Sequence, residues 1–263
     1  MTASTSPFSL VREPLDLVVR FVTLAARERI TPGYAKVRLV GDELRGFGAE
    51  GHDDHIRIFF PDGRVDTVDE MRAAPSREFT PVAWGEDPDG TPFLDLEFAL
   101  HGDEGVAGVW ADTAQIGSIV GIGGPRGTLR IDGSPTGWLL AGDETAVAQI
   151  RRYAALIPDG APARILVEVP DATHEVPVET AAEVTYVHRG DAFPGTALAA
   201  ALDRLTAEDR PGEDPFVFVA AEQAIVKTAR ALACERWGVA PERIVAKGYW
   251  KRDDTGDTYH AAH

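Results

Sequence analysis

Between residues 17 and 131 the apolar positions come in short runs rich in β-branched and aromatic residues, separated by turn-forming residues. The runs are LVVRFVTLAARERI (17–30), AKVRLV (35–40), HIRIFF (55–60), REFTPVAW (77–84), FLDLEFALH (93–101), SIVGIG (118–123) and TLRI (128–131). Apolar and polar residues alternate in His55-Ile56-Arg57-Ile58 and in Asp95-Leu96-Glu97-Phe98, the pattern of strands with one buried face. One stretch of helical spacing, residues 109–116, interrupts them and stops before Gly117. Several short strands joined by turns predict a β-barrel or sandwich over this half.

From Trp138 the period changes. WLLAG (138–142) leads into ETAVAQIRRYAALI (144–157), where Val147, Ile150, Ala154 and Ile157 recur at helical spacing until Pro158. Strands then follow at 163–169, 183–189, 215–221 and 243–250, with helices at 196–205 and 223–237 between them. Gly238 and Pro241 are helix-stop signals after the last helix. Nearly continuous apolar strands alternating with helices predict a doubly wound parallel α/β sheet, covered on both faces. The turn-rich segment Asp132-Gly133-Ser134-Pro135-Thr136-Gly137 divides the two patterns. The expected domains are therefore 14–133 and 134–252, with a polar tail at 253–263.

A chain of 263 residues suits one large or two small domains. Its 44% hydrophobic and 26% charged content is that of an ordinary globular protein. The net charge of −16 argues against nucleic-acid partners and against docking on an anionic membrane face. The single cysteine, Cys234, leaves no internal disulfide and no CxxC site, which suits a reducing compartment. No basic start precedes an apolar core at the N-terminus, and the longest apolar runs fall well short of the roughly 18 residues of a span. A soluble, cytoplasmic protein is expected.

The candidate chemistry lies in turns and strand ends. Gly121-Ile122-Gly123-Gly124-Pro125-Arg126-Gly127 looks like a dinucleotide loop, but a strand, TLRI, follows it where a helix is required, so a barrel turn is expected. Ala141-Gly142-Asp143-Glu144-Thr145-Ala146 is the better strand-to-helix turn. Gly142 there would permit close approach of a ligand, Asp143 would cap the helix, and Glu144 would suit its positive end. Two acids repel a phosphate, so an uncharged ring is expected beside this turn. Arg77-Glu78-Phe79-Thr80 offers a cation for a phosphate beside an aromatic face. His101-Gly102 and Ala107-Gly108-Val109-Trp110 place a helix N-terminus near the same barrel end, a second anion site, with Trp110 in the core. His52 and His55 lack the further ligands of a metal site, so none is expected. Lys247-Gly248-Tyr249-Trp250-Lys251-Arg252 is a basic, aromatic strand end in an acidic chain, at the side of the sheet where ligands bind.

In this order these motifs resemble the siderophore-interacting protein family of ferredoxin-reductase-like flavoenzymes, over residues 18–252. Also carrying the resemblance are Ile30-Thr31-Pro32 with Val37-Arg38-Leu39, and Asp54-His55-Ile56-Arg57-Ile58-Phe59-Phe60-Pro61. Phe98-Ala99-Leu100-His101-Gly102, Gly105-Val106-Ala107-Gly108-Val109-Trp110-Ala111 and Gly124-Pro125-Arg126-Gly127 complete the set. The resemblance implies an N-terminal FAD-binding β-barrel, a C-terminal NAD(P)H-binding α/β domain and reduction of ferric siderophores. By that resemblance Arg77 contacts the FAD phosphates, Phe79 packs on the flavin and Thr80 bonds near its ring. His101, Gly102, Ala107 and Gly108 line the cofactor pocket. Gly142, Asp143, Glu144 and Thr145 lie on the nicotinamide side, and Tyr249 and Trp250 approach the flavin. Arg57, Lys247, Lys251 and Arg252 are the cations available to an anionic siderophore. The chain departs from the family pattern in having Phe79 for a tyrosine, Val82 for a second arginine, Arg57 for a lysine and Ala221-Glu222 for Gly-Glu. Val82 is expected to share a strand face with Thr80, so that its lost charge weakens FAD binding. Two other activities fit the same residues: an NAD(P)H:flavin oxidoreductase, and a noncatalytic siderophore-binding module that has lost flavin. Donor preference, siderophore identity and oligomeric state stay open.

Overall fold

The computed structural model describes residues 7–100, 105–252 and 259–261. Contacts divide the chain into two compact units, Arg12–Leu129 and a second made of Met1–Val11 with Arg130–His263. The elements run in chain order as β1 Phe8–Pro14, β2 Val19–Thr31, β3 Tyr34–Val40, β4 Ile56–Phe59, α1 Val68–Ala73, β5 Ser76–Phe79 and β6 Pro81–Glu86. Next come β7 Pro92–Ala99, α2 Val106–Thr113, β8 Ile119–Gly123, β9 Gly127–Gly133, β10 Gly137–Asp143 and α3 Val147–Ala154. The chain continues with β11 Ala163–Val169, β12 Val184–His188, α4 Thr196–Arg204, β13 Pro215–Glu222, α5 Ile225–Arg230, β14 Ile244–Arg252 and β15 Tyr259–Ala261.

The first unit is a seven-stranded sheet in the order β5-β4-β8-β2-β3-β7-β6, antiparallel throughout. Its two edge strands, β5 and β6, are separated in sequence by Thr80 alone. The sheet must therefore curl until both edges reach one residue, which makes it a barrel. REFTPVAW, read from sequence as one strand, is instead this seam: β5 pairs with β4 and β6 with β7. Pro81, with no N–H to give a ladder, suits the first position of an edge strand. Alternate residues fill the interior, among them Val22, Leu24, Val37, Leu39, Ile56, Ile58, Leu94, Leu96 and Ile122. Each such side chain contributes about 1.5–3 kcal/mol relative to exposure. The outward face carries ion pairs, with Arg38 and Lys36 both on Asp95.

Two helices differ from expectation. α1 went unseen because only Met71 of its six residues is buried, although Thr67 and Glu70 form a complete capping box. α2 starts three residues before the expected 109, since Gly105, at φ 74°, turns the chain into it. The Gly121–127 run spans the end of β8, a turn and the start of β9, with no helix behind it.

The second unit holds a six-stranded sheet ordered β12-β11-β10-β13-β14-β15. The first five strands are parallel and β15 is antiparallel to β14, so the expected polar tail contributes an edge strand. Leu139, Ala141, Val217 and Val219 face Leu198 and Leu202 of α4 and Ile225 and Ala229 of α5. Phe216 and Phe218 face the other way, against Tyr153 of α3 at 4.7 and 5.0 Å between ring centres. This is the doubly wound arrangement. β1, absent from the sequence reading, brings Phe8 edge-on to Phe216 at 6.4 Å. Strand order reverses between β10 and β13, and the crevice at such a reversal is where open α/β sheets bind ligands. Among the described residues no helix is long and apolar enough to cross a membrane.

Candidate functional site

Each unit carries one candidate region. In the barrel, β5 opposes β4 in the register Ile58↔Arg77, Arg57↔Glu78 and Ile56↔Phe79. Ile56 and Ile58 are fully buried, so Arg77 and Phe79 share the inner face and Glu78 and Arg57 the outer one. Outside, Arg57 is paired with Glu78 at 2.9 Å, with His55 3.6 Å from the same carboxylate. Inside, Phe79 packs on Phe98 at 4.2 Å, and Phe98 on Trp110 of α2 at 6.0 Å. Trp110 is half-buried against the core, near its expected place. Ala107 is buried and Gly108 half-buried on the first turns of α2. Among the described residues no side chain caps α2 and its first turn has no acid, which leaves its leading N–H groups suited to an anion. The half-buried Arg77 guanidinium donates to the Ser76 carbonyl at 2.8 Å and forms no ion pair among the described residues. Among the described residues, a cation without an ion pair and an aromatic face therefore share the inner side of the seam, and α2, which packs against β5, starts without a side-chain cap. That donor set fits the phosphates and flat ring of a flavin nucleotide. Thr80 is the half-buried link of the seam. His101 and Gly102 lie outside the described residues.

Val82 requires a correction. The register jumps from Pro81↔Leu96 to Ala83↔Asp95, leaving Val82 in a bulge at the start of β6. Thr80 lies outside that strand, so simple alternation does not put the two on one face.

In the parallel sheet, the turn after β10 is occupied by charge. A side chain at Gly142 would sit 2.5 Å from Ala146 Cβ and 2.7 Å from the Ala220 carbonyl oxygen. The glycine thus serves strand-to-helix packing, where the sequence suggested ligand approach. Asp143 is 1% exposed. It accepts the Thr145 amide at 2.9 Å, capping the turn as expected, and also the Thr145 hydroxyl. Its other oxygen accepts the Trp250 indole N–H at 2.8 Å. Burial, followed by the neighbouring Glu144 charge, pushes its pKa up to about 7.

Glu144 stands in the first turn of the helical segment, as expected, and has a second partner there. It takes both arms of the Arg189 guanidinium, at 2.6 and 2.9 Å, and both side chains are at least nine-tenths buried. Arg189 also lies 3.7 Å from Glu168, which is opposite Asp143 in the β10–β11 register. Glu168 accepts the Gly195 and Leu198 amides at the start of α4, and burial raises its pKa. Sequence reasoning missed Glu168 and Arg189. The available signal was a lone carboxylate inside the apolar strand ARILVEV, which must find a partner.

At the sheet's far side β14 passes β13 with a bulge, from Ala221↔Gly248 to Glu222↔Trp250, which skips Tyr249. Gly248 suits this place, because a Cβ would lie 2.8 Å from the Gln223 Cα. Trp250 is 7% exposed, Tyr249 and Lys247 are half-buried, and Lys251 is exposed. The Arg252 side chain is outside the described set. Of the four expected siderophore cations, Arg57 belongs to the barrel unit and is already matched by Glu78.

Comparison with known proteins agrees with this division. Residues 23–129 match the model of the siderophore-interacting FAD-binding domain, and residues 135–253 that of the siderophore-interacting protein. The NADPH-dependent ferric-chelate reductase of Escherichia coli is 31% identical over 252 residues, covering 89% of this chain and 94% of the relative. Ferric vibriobactin reductase ViuB of Vibrio cholerae is 27% identical, covering 92% of both. The crystal structure of a siderophore utilization protein from T. fusca superimposes with a TM-score of 0.80 at 30% identity, covering 96% of this chain and 100% of that one. With a barrel whose seam suits a flavin nucleotide and a doubly wound sheet behind it in sequence, the chain belongs to the siderophore-interacting protein family.

Proposed function

We propose that this protein is an FAD-dependent ferric-siderophore reductase driven by NAD(P)H, acting in the cytoplasm. The observation that carries the proposal is the half-buried Arg77 guanidinium, without an ion pair among the described residues, on the same barrel face as Phe79 and on a strand against which α2 packs. The E. coli and V. cholerae relatives are named as ferric reductases, which supports the choice of acceptor. FAD supplies acceptance of hydride from a nicotinamide and release of single electrons to Fe³⁺. Arg77 and the amides at Ala107 and Gly108 hold its phosphates, with His101 and Gly102 in the same stretch. Phe79 packs on the flavin and Thr80 bonds at its edge. The barrel domain takes residues 14–133 and the NAD(P)H domain 134–252. Gly142, Asp143, Glu144 and Thr145 form the nicotinamide side, where Arg189 pairs with Glu144 and offsets part of its charge. Tyr249 and Trp250 close that side from the C-terminus. A chain of net charge −16 repels anionic ferric chelates at long range, so local cations must receive them. Lys247, Lys251 and Arg252 take that role, with a lesser part for Arg57.

The test is a spectroscopic titration of the full chain with FAD, followed by anaerobic NADH or NADPH and then a ferric catecholate. The expected result is bleaching by the donor and reoxidation by the ferric chelate. The double change Lys251→Glu with Arg252→Glu should slow the second step alone. Turnover confined to added free flavin would favour the flavin-reductase alternative. Chelate binding with no bleaching would favour the noncatalytic module.

A further inference from the structure

The carboxylate of Asp143 is tied to a residue 107 positions away, the Trp250 indole, by a buried 2.8 Å hydrogen bond. Trp250 is anchored at its main chain as well, where its carbonyl accepts the Gln223 amide at 2.9 Å. Just before it, Gly248 is pressed against Gln223 and the ladder skips Tyr249. The bulge breaks the side-chain alternation of β14, and bulges of this kind re-aim side chains beside functional sites. Straight alternation does not fix which way Trp250 turns. Its partners include the Gln223 amide for the backbone, between the β13 and β15 ladders, and Asp143 for the ring.

We propose that Asp143 is a positioning residue that holds the Trp250 indole and thereby sets the course of the chain through Tyr249 at the carboxyl edge of the sheet. The kinetic consequence rests on the reductase reading, in which that edge is the nicotinamide side; the structural consequence does not.

An ionised carboxylate is a stronger acceptor for an indole N–H than a protonated one. Burial and Glu144 bring the protonation of Asp143 to about pH 7, so the hold weakens as pH falls through that value. The other charged groups of the adjoining elements have their own positions. Glu144 is paired with Arg189, which also approaches Glu168 on β11. Glu168 is bonded to the start of α4, and Glu222, at the end of β13, accepts the Ala224 amide. Lys247 lies opposite Ala220 on β14.

If Asp143 were only the cap of its own turn, through Thr145, its titration would leave Trp250 unchanged. The experiment follows the indole N–H signals of the ¹⁵N-labelled full chain between about pH 5.5 and 8.5, a window around the raised carboxylate. The Trp250 signal is the one lost in Trp250→Phe or, should that variant fail to fold, the one displaced in Asp143→Asn. The expected result is a Trp250 signal that titrates near pH 7 and stays fixed in Asp143→Asn. A signal that does not move, or that moves equally in Asp143→Asn, overturns the proposal. In parallel, the pH dependence of donor-driven flavin reduction should lose its inflection near 7 in Trp250→Phe, although Asp143 is still present there. An inflection that survives that change also overturns it. If neither NADH nor NADPH bleaches the wild type at any pH, the reductase reading fails, while the indole titration still decides the role of Asp143.

Discussion

The barrel seam and the edge of the parallel sheet treat charge in opposite ways. At the seam, Arg77 is half-buried with a single carbonyl as its partner among the described residues, and the start of α2 is uncapped. At the sheet edge, Glu144, Glu168 and Arg189 are almost wholly withdrawn from water, Glu144 held by Arg189 and Glu168 by the Gly195 and Leu198 amides with Arg189 3.7 Å away. Among the described residues the first arrangement leaves a cation and a helix start without an acidic partner, which suits the anion of the proposed cofactor. The second holds its own cation, and a ligand there meets carboxylates that are already bonded within the protein. In the proposed function a phosphate-bearing cofactor therefore sits at the seam and an uncharged ring at the sheet edge.

The largest expected effect is at the sheet edge. Arg189→Met leaves two buried carboxylates without their cation and should cost about 3–5 kcal/mol of stability, read by denaturant unfolding. A loss below about 1 kcal/mol, the scale of an exposed pair, would contradict the buried pairing claimed for the sheet edge. Arg77→Ala tests the seam. Losing a charge-assisted phosphate partner costs about 1.5–3 kcal/mol, or roughly 10- to 150-fold in FAD affinity by equilibrium dialysis, with little change in melting temperature. Arg57→Ala, on the outer face with Glu78, should leave FAD affinity unchanged. Equal losses in both variants would erase the distinction between the two barrel faces.

Asp143→Asn gives a smaller, pH-dependent effect. The folded pKa is raised above the unfolded value, so the folded state binds the extra proton. That contribution is full below the unfolded value near 4 and is lost as pH rises through about 7. The variant, which carries no charge to bury, should gain on the wild type by roughly 1–3 kcal/mol between pH 5 and 8. A stability difference that stays flat across that range would show that the buried carboxylate is not raised. The smallest effect is at Val82. Placed in the bulge of β6, Val82→Arg should change FAD affinity by less than about threefold. A tenfold tightening would restore the idea that residue 82 faces the cofactor.

The pattern of apolar residues was enough to separate barrel from doubly wound sheet, because a period of two and continuous apolar strands leave different marks in sequence. It could not show the seam at Thr80. REFTPVAW is one extended run, and only pairing with β4 on one side and β7 on the other divides it. Arg77, Phe79 and the turn at Gly142 were legible as motifs. The partners that decide their roles were not, since Arg189 and Trp250 reach their carboxylates across 45 and 107 residues. Gly142 shows the same limit. Its identity was readable, while the atoms filling the space above it belong to Ala146 and Ala220.

The most direct test of the central claim, that the barrel seam holds FAD for ferric-chelate reduction, is anaerobic formation of Fe²⁺ from a ferric tris-catecholate, followed with a ferrous-specific chelator as FAD is titrated in. The account predicts Fe²⁺ only when protein, FAD and a nicotinamide donor are all present. The FAD needed for half-maximal rate should rise roughly 10- to 150-fold in Arg77→Ala. No Fe²⁺ from the wild type at saturating FAD with either NADH or NADPH, or an unchanged FAD requirement in Arg77→Ala, would contradict it.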